Sequence, residues 1–173
     1  AEERIQEDYL RILRYFRFFI QYSKNKHDEK IILSIKKHIN GINKISNERI
    51  FEELKKILKL KNFHELFLNI SSKEIILNIF PQFKYYERLK ELKNLNQNLK
   101  NQYDKYLTLA LIVLDESNNY DYFCHKYKVS SKIKNRFKNI SDNFESLKNK
   151  KFNTKENIKK MIYFTNKDYV IDL

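Results

Sequence analysis

Near its start the chain reads Glu7-Asp8-Tyr9-Leu10-Arg11, followed by Arg14 and Arg17 at a strict spacing of three. On a helix, Glu7 lies four residues and Asp8 three residues from Arg11, so all three can meet on one face. A fixed arginine presents only donors and a fixed carboxylate only acceptors. Side by side they match a base edge that carries an acceptor ring nitrogen next to an exocyclic amino group. Cytosine and adenine have that edge. Guanine and uracil present a protonated ring nitrogen beside a carbonyl, and a buried mismatch of that kind is rejected strongly. An Asp8–Arg11 pair can therefore select C and A. The alternative is an ordinary surface ion pair contributing about 0.3–0.5 kcal/mol.

The elements that would position these side chains read as helices. Apolar Leu10, Ile12, Leu13, Tyr15, Phe16, Phe18, Phe19 and Ile20 form a broad inward face over residues 7–22, with the arginines on a narrower stripe. A second helix is predicted from Asp28 to His38, with Ile31, Ile32, Ile35 and Ile39 inward. Gly41 would follow it as a C-cap at positive φ. Ser46 or Asn47 would cap a third helix reaching Leu60. More helices are predicted at 62–69, 73–79, 84–100, 102–115, 118–127, 131–148 and 154–163. Ser71-Ser72-Lys73-Glu74 and Asn153-Thr154-Lys155-Glu156 read as capping boxes. Pro81 is the predicted boundary between two helical layers. One glycine and one proline in 173 residues leave little for β-turns, so the fold class is all-α. A strand reading of short runs such as Tyr169–Ile171 is the alternative to that pattern.

The same scarcity excludes glycine-rich phosphate loops. The single cysteine, Cys124, excludes an internal disulfide, fits a reducing compartment, and reads as a small core or boundary residue. His27, His38, His64 and His125 lack metal-ligand spacing. No apolar run is long enough for a membrane span, so the expected location is cytoplasmic and no membrane partner is expected. Net charge is +13, which favours polyanions, nucleic acid first, although heavy use of Lys, Asn and Ile also fits an A/T-rich coding sequence. Ten basic residues against three acidic lie between Ser130 and Lys160. They form either a solvated lysine face or a contact to an RNA backbone. Phe137, Phe144 and Phe152 read as core residues. The chain does not begin with Met, so it reads as a piece of a longer protein.

The stretch AEERIQEDYLRILRYFRF resembles the neck of class II tRNA nucleotidyltransferases, the CCA-adding enzymes and their poly(A) polymerase relatives. Ile42 to Leu58, INKISNERIFEELKKIL, resembles the family's next block, with Ser46, Glu48, Arg49, Glu53 and Lys56 at the matching polar positions. The resemblance is close over residues 1–60 and weak beyond. It implies a neck domain over 1–60, with Glu7, Asp8, Arg11 and Arg14 binding the incoming ATP or CTP and Ser46, Glu48 and Arg49 supporting them. Residues 61–173 would be a helical body and tail that grip tRNA, with Arg17, Lys148, Lys150 and Lys151 as RNA contacts. The family's catalytic head holds two Mg²⁺ ions on a DxD carboxylate pair. Here Gly41 is followed by Ile42, no Asp-x-Asp occurs, and no Arg-Arg pair exists. The chain by itself is thus expected to select bases and hold RNA without a catalytic or metal-binding residue, the full-length protein being the tRNA nucleotidyltransferase. A poly(A) polymerase, an enzyme adding part of the CCA end, and a stand-alone helical RNA-binding module are the alternatives.

Overall fold

A computed structural model describes residues 2–23, 26–94, 104–115 and 117–143. Among them lie eight α-helices and no strand: α1 (Glu2–Glu7), α2 (Arg11–Tyr22), α3 (Glu29–His38), α4 (Asn47–Leu58), α5 (Ile70–Ile79), α6 (Lys105–Val113), α7 (Asn119–Lys126) and α8 (Ser131–Asp142). Shorter 3₁₀ segments occupy Ile39–Lys44, Phe63–Phe67 and Tyr86–Asn94. The all-α class holds. The 3₁₀ geometry of Phe63–Phe67 and Tyr86–Asn94 replaces the α-helices predicted at 62–69 and at the start of 84–100. The predicted helix at 154–163, the capping box at 153–156, the Tyr169–Ile171 strand, Phe144 and Phe152 all lie outside the described residues.

Side chains from Ile5 to Ile140 bury into one apolar cluster. α2 runs along α4, α1 lies against α3, and α7 packs on α8. Of the residues predicted inward around α3, Ile32 and Ile35 are buried and Ile31 and Ile39 half-buried; Phe137 and Cys124 are buried too. Burial pushes the Cys124 thiol up to about 11, which removes it as a nucleophile near neutral pH. Asp28 caps α3 by accepting from the N–H groups of Lys30 (2.8 Å) and Ile31 (3.4 Å). Asp104 does the same for α6 through Tyr106 and Leu107.

Four more expectations change. The helix predicted through residues 7–22 is broken: α1 ends at Glu7 and α2 begins at Arg11. The Asp8 carboxylate accepts from the Leu10 N–H (3.1 Å) and its carbonyl accepts from the Arg11 N–H (2.9 Å), a local turn that competes with the helix. Phe18, placed on the inward face, is exposed instead. Gly41 has no positive φ. Its lack of a side chain makes room for Tyr9, because a Cβ there would stand 1.9 Å from the Tyr9 ring carbon Cε1. Finally, α5 starts before the Ser71–Glu74 box: Asn69 is the cap, accepting from the Ser72 N–H at 3.1 Å. Ser72 is fully buried and its hydroxyl lies 2.6 Å from His27 Nε2.

Candidate functional site

The break at Asp8 sets the geometry of the site. It swings Asp8 out of helical register between α1 and α2, with Glu7 on one side and Arg11 on the other. Arg11 Nη2 donates to Glu7 Oε2 at 3.2 Å. Arg14 Nη1 donates to Asp8 Oδ2 at 3.3 Å, and Arg49 Nη2 of α4 lies 3.6 Å from Asp8 Oδ1. The acceptor residue and the donor residue are therefore each held by a different neighbour. The Asp8 side chain is 23% exposed and that of Arg11 42%, so both remain open to a ligand. Tyr9, seated against Gly41 with Lys44 Nζ 5.7 Å from its ring centre, ties the joint to the segment after α3. α1 is tied to α3 as well. Glu2 accepts from Lys37 (2.6 Å) and meets His38 Nε2 (2.8 Å), contacts that hold its carboxyl down at about 2.

Of Ser46, Glu48 and Arg49, the expected supports of this joint, Arg49 of α4 reaches it at Asp8. Ser46 precedes α4 in an extended conformation and its carbonyl accepts from the Ile50 N–H at 3.1 Å; its side chain makes no cap bond. Glu48 pairs with Lys128 at the turn between α7 and α8, and that ammonium lowers its carboxyl below the usual range. Lys128 itself occupies the left-handed region (φ 49°), with the Val129 N–H reaching back to the Cys124 carbonyl at 2.9 Å. That is the helix-ending geometry usually given to glycine. A chain with one glycine uses lysine there.

Arg17 points elsewhere. Its Nε donates to Glu53 of α4, whose side chain is 1% exposed, and Lys56 Nζ donates to the other Glu53 oxygen at 3.2 Å. The Arg17 guanidinium carbon stands 4.2 Å from the Phe18 ring centre. This arginine is a bridge between α2 and α4, a role that residue spacing does not reveal because Glu53 is 36 residues away. Lys148, Lys150 and Lys151 lie outside the described residues. Reasoning from sequence also missed His27, whose ring meets the Tyr15 hydroxyl at 2.9 Å and Ser72 Oγ at 2.6 Å while stacking on Phe19 at 3.6 Å.

These donors do not fit Mg²⁺. Among the described residues no three His, Cys, Asp or Glu side chains converge to hold a metal ion, and the oxygens of Asp8 face guanidinium groups. No described helix is long and apolar enough to cross a membrane.

Parts of the chain are similar to known proteins. A family described as "Probable RNA and SrmB- binding site of polymerase A" matches residues 27–87. The mitochondrial CCA tRNA nucleotidyltransferase 1 of Homo sapiens is 53% identical over 60 residues, 34% of this chain and 14% of that protein. The CCA-adding enzyme of Staphylococcus haemolyticus is 28% identical over the whole chain, which spans 40% of its length. That of Streptococcus uberis is 34% identical over 106 residues, 61% of this chain and 24% of the enzyme. The chain thus spans well under half the length of these relatives. Over these stretches it is similar to CCA tRNA nucleotidyltransferases and to the RNA-binding region of polymerase A.

Proposed function

We propose that this chain is the base-selecting and RNA-holding portion of a protein that adds CCA to the 3′ end of tRNA. The carrying observation is the α1–α2 joint, which holds Asp8 and Arg11 three residues apart in the chain, the first braced by Arg14 and Arg49 and the second by Glu7. Bracing lowers the conformational entropy lost when a base docks, and it holds donors and acceptors where C and A, not G and U, can satisfy them. Residues 1–60 form the selecting neck in this reading, with ATP and CTP as the nucleotides. Residues 61–173 hold the tRNA, with Lys148, Lys150 and Lys151 on its phosphates. Phosphoryl transfer needs bridging carboxylates and Mg²⁺, and falls to a catalytic part outside these 173 residues. Buried Cys124 suits a reducing compartment such as the cytoplasm.

The test is nucleotide selection by the full-length protein. Asp8→Ala removes the acceptor for the exocyclic amine and Arg11→Ala the donor to the ring nitrogen. Each should relax discrimination against GTP and UTP by about 1–3 kcal/mol, the cost of a lost buried partner. Competition between labelled CTP, ATP, GTP and UTP reads this directly. Wild-type selectivity in both variants would sink the reading. The isolated chain should bind tRNA and incorporate nothing. Its log K should fall by roughly 0.7–0.9 per phosphate contact for each unit of log salt, with a flatter slope once Lys148, Lys150 and Lys151 are neutralised.

A further inference from the structure

α2 carries a second feature that base selection does not use. Phe18 is 47% exposed and Tyr22 is 72% exposed, although the rest of the helix is rich in buried apolar side chains. At 100° per residue, Arg11, Arg14, Phe18 and Tyr22 fall within about 80° of one another, so they share one outward stripe. The two rings stack on each other, with centres 6.1 Å apart and planes tilted by 22°. The Arg17 guanidinium rests 4.2 Å from the Phe18 ring centre and is itself fixed by the buried Glu53. The pair is therefore an exposed aromatic surface with a held, cationic backing, on a stripe that is otherwise arginine.

We propose that Phe18 and Tyr22 form a stacking platform for an unpaired base of the RNA strand whose end is being extended. The inference rests on the reading of Asp8 and Arg11 as the base-selecting pair. An aromatic face accepts any base, contributes most where a strand is single, and draws further strength from a neighbouring guanidinium. An apolar protein partner would be served poorly by a stripe half made of arginine. The spacing also fits a strand. With a rise of 1.5 Å per residue, Phe18 and Tyr22 lie about 10–16 Å along α2 from Arg11. That distance matches about three to five stacked nucleotides at 3.4 Å each. A short single-stranded 3′ tail anchored on the rings would therefore present its end beside Asp8 and Arg11. Arg14 lies between the two, exposed enough to face the tail while it braces Asp8. The platform thus sets where the strand end stops, and the joint sets which base is added.

The experiment uses a single-stranded RNA 12-mer carrying 2-aminopurine, whose fluorescence is quenched on stacking, titrated into the chain. Tyr22→Ala should weaken binding about 5- to 100-fold and relieve the quenching, whereas Tyr22→Phe should stay within about twofold of wild type. The salt dependence of Tyr22→Ala should match wild type, because no phosphate contact is removed. Phe18→Ala provides a second variant, with its thermal midpoint measured alongside to separate unfolding from lost stacking. Unchanged affinity in Tyr22→Ala while wild type binds RNA would overturn the platform and leave base selection standing. Unchanged affinity together with a lowered melting temperature of the full-length protein would assign the rings to an internal contact, also overturning it. A wild-type chain that binds no RNA would overturn both readings.

Discussion

Two arginine–carboxylate clusters sit less than three helical turns apart along α2, and they differ in almost everything but composition. At the α1–α2 joint, Glu7, Asp8, Arg11, Arg14 and Arg49 share contacts of 3.2–3.6 Å while keeping much of their surface in water. Farther along, Arg17 enters the interface with α4 and meets a Glu53 that is wholly out of solvent, with Lys56 on its other oxygen. Exposed pairs contribute little to stability and can change partners when a ligand arrives. A buried carboxylate must keep its partners, because an uncompensated charge in the interior is costly. One cluster is therefore free to act on a ligand, and the other fixes the helix on which the first is mounted.

That contrast can be broken most severely at the buried cluster. Arg17→Ala should lower unfolding stability by about 3 kcal/mol, near the low end for a broken buried pair because Lys56 stays beside Glu53. Urea denaturation of the chain measures it. Arg11→Ala in the same assay should cost less than about 0.5 kcal/mol. Equal losses would erase the distinction between the clusters.

A smaller loss, about 1–3 kcal/mol, is expected from Gly41→Ala, which drives a methyl into the Tyr9 ring. Because Tyr9 lies inside the joint, the change should also disturb base selection in the full-length protein, unlike a purely structural substitution elsewhere. Intact stability and intact selectivity would show that Tyr9 does not anchor the site.

The smallest effect belongs to pH. Burial lowers the pKa of His27, which bridges Tyr15 of α2 and Ser72 of α5 in its neutral form. Between that lowered value and the ordinary one near 6.5 the unfolded chain binds more protons than the folded chain. The contribution of His27 is therefore complete above about pH 6.5 and is lost as pH falls through that window. Thermal midpoints from pH 7.5 down to 5 should show the decline, and His27→Gln should flatten it. A variant that declines as steeply as wild type would place the titration elsewhere.

Much of the chemistry was legible in the linear order of residues. Glu7 and Arg11 meet as their spacing of four predicts, and the helical period of α3 placed Ile32 and Ile35 in the core. Asp8 shows the limit of that logic. Its own carboxylate makes a turn with the Leu10 N–H, so a helix expected to run on is interrupted, and its partners become Arg14 and Arg49. The outward turn of Phe18 and the burial of Glu53 escaped a reading of one helix at a time. Each depends on which face of α2 meets α4.

Sequence by itself determined the all-α class, through the near absence of Gly and Pro and the 3.6-residue period. It determined the charge and the Glu7–Arg11 pair too, because groups four residues apart interact through local backbone geometry alone. Tertiary structure decided that Arg11 stays exposed and that Arg17 is a brace. It brought Arg49, Glu53, His27 and Ser72 across separations of 36 to 45 residues. It also decided that Gly41 serves close packing and not a left-handed turn. Such contacts follow from how apolar faces pack, and packing is a property of the whole chain that no short stretch of sequence specifies.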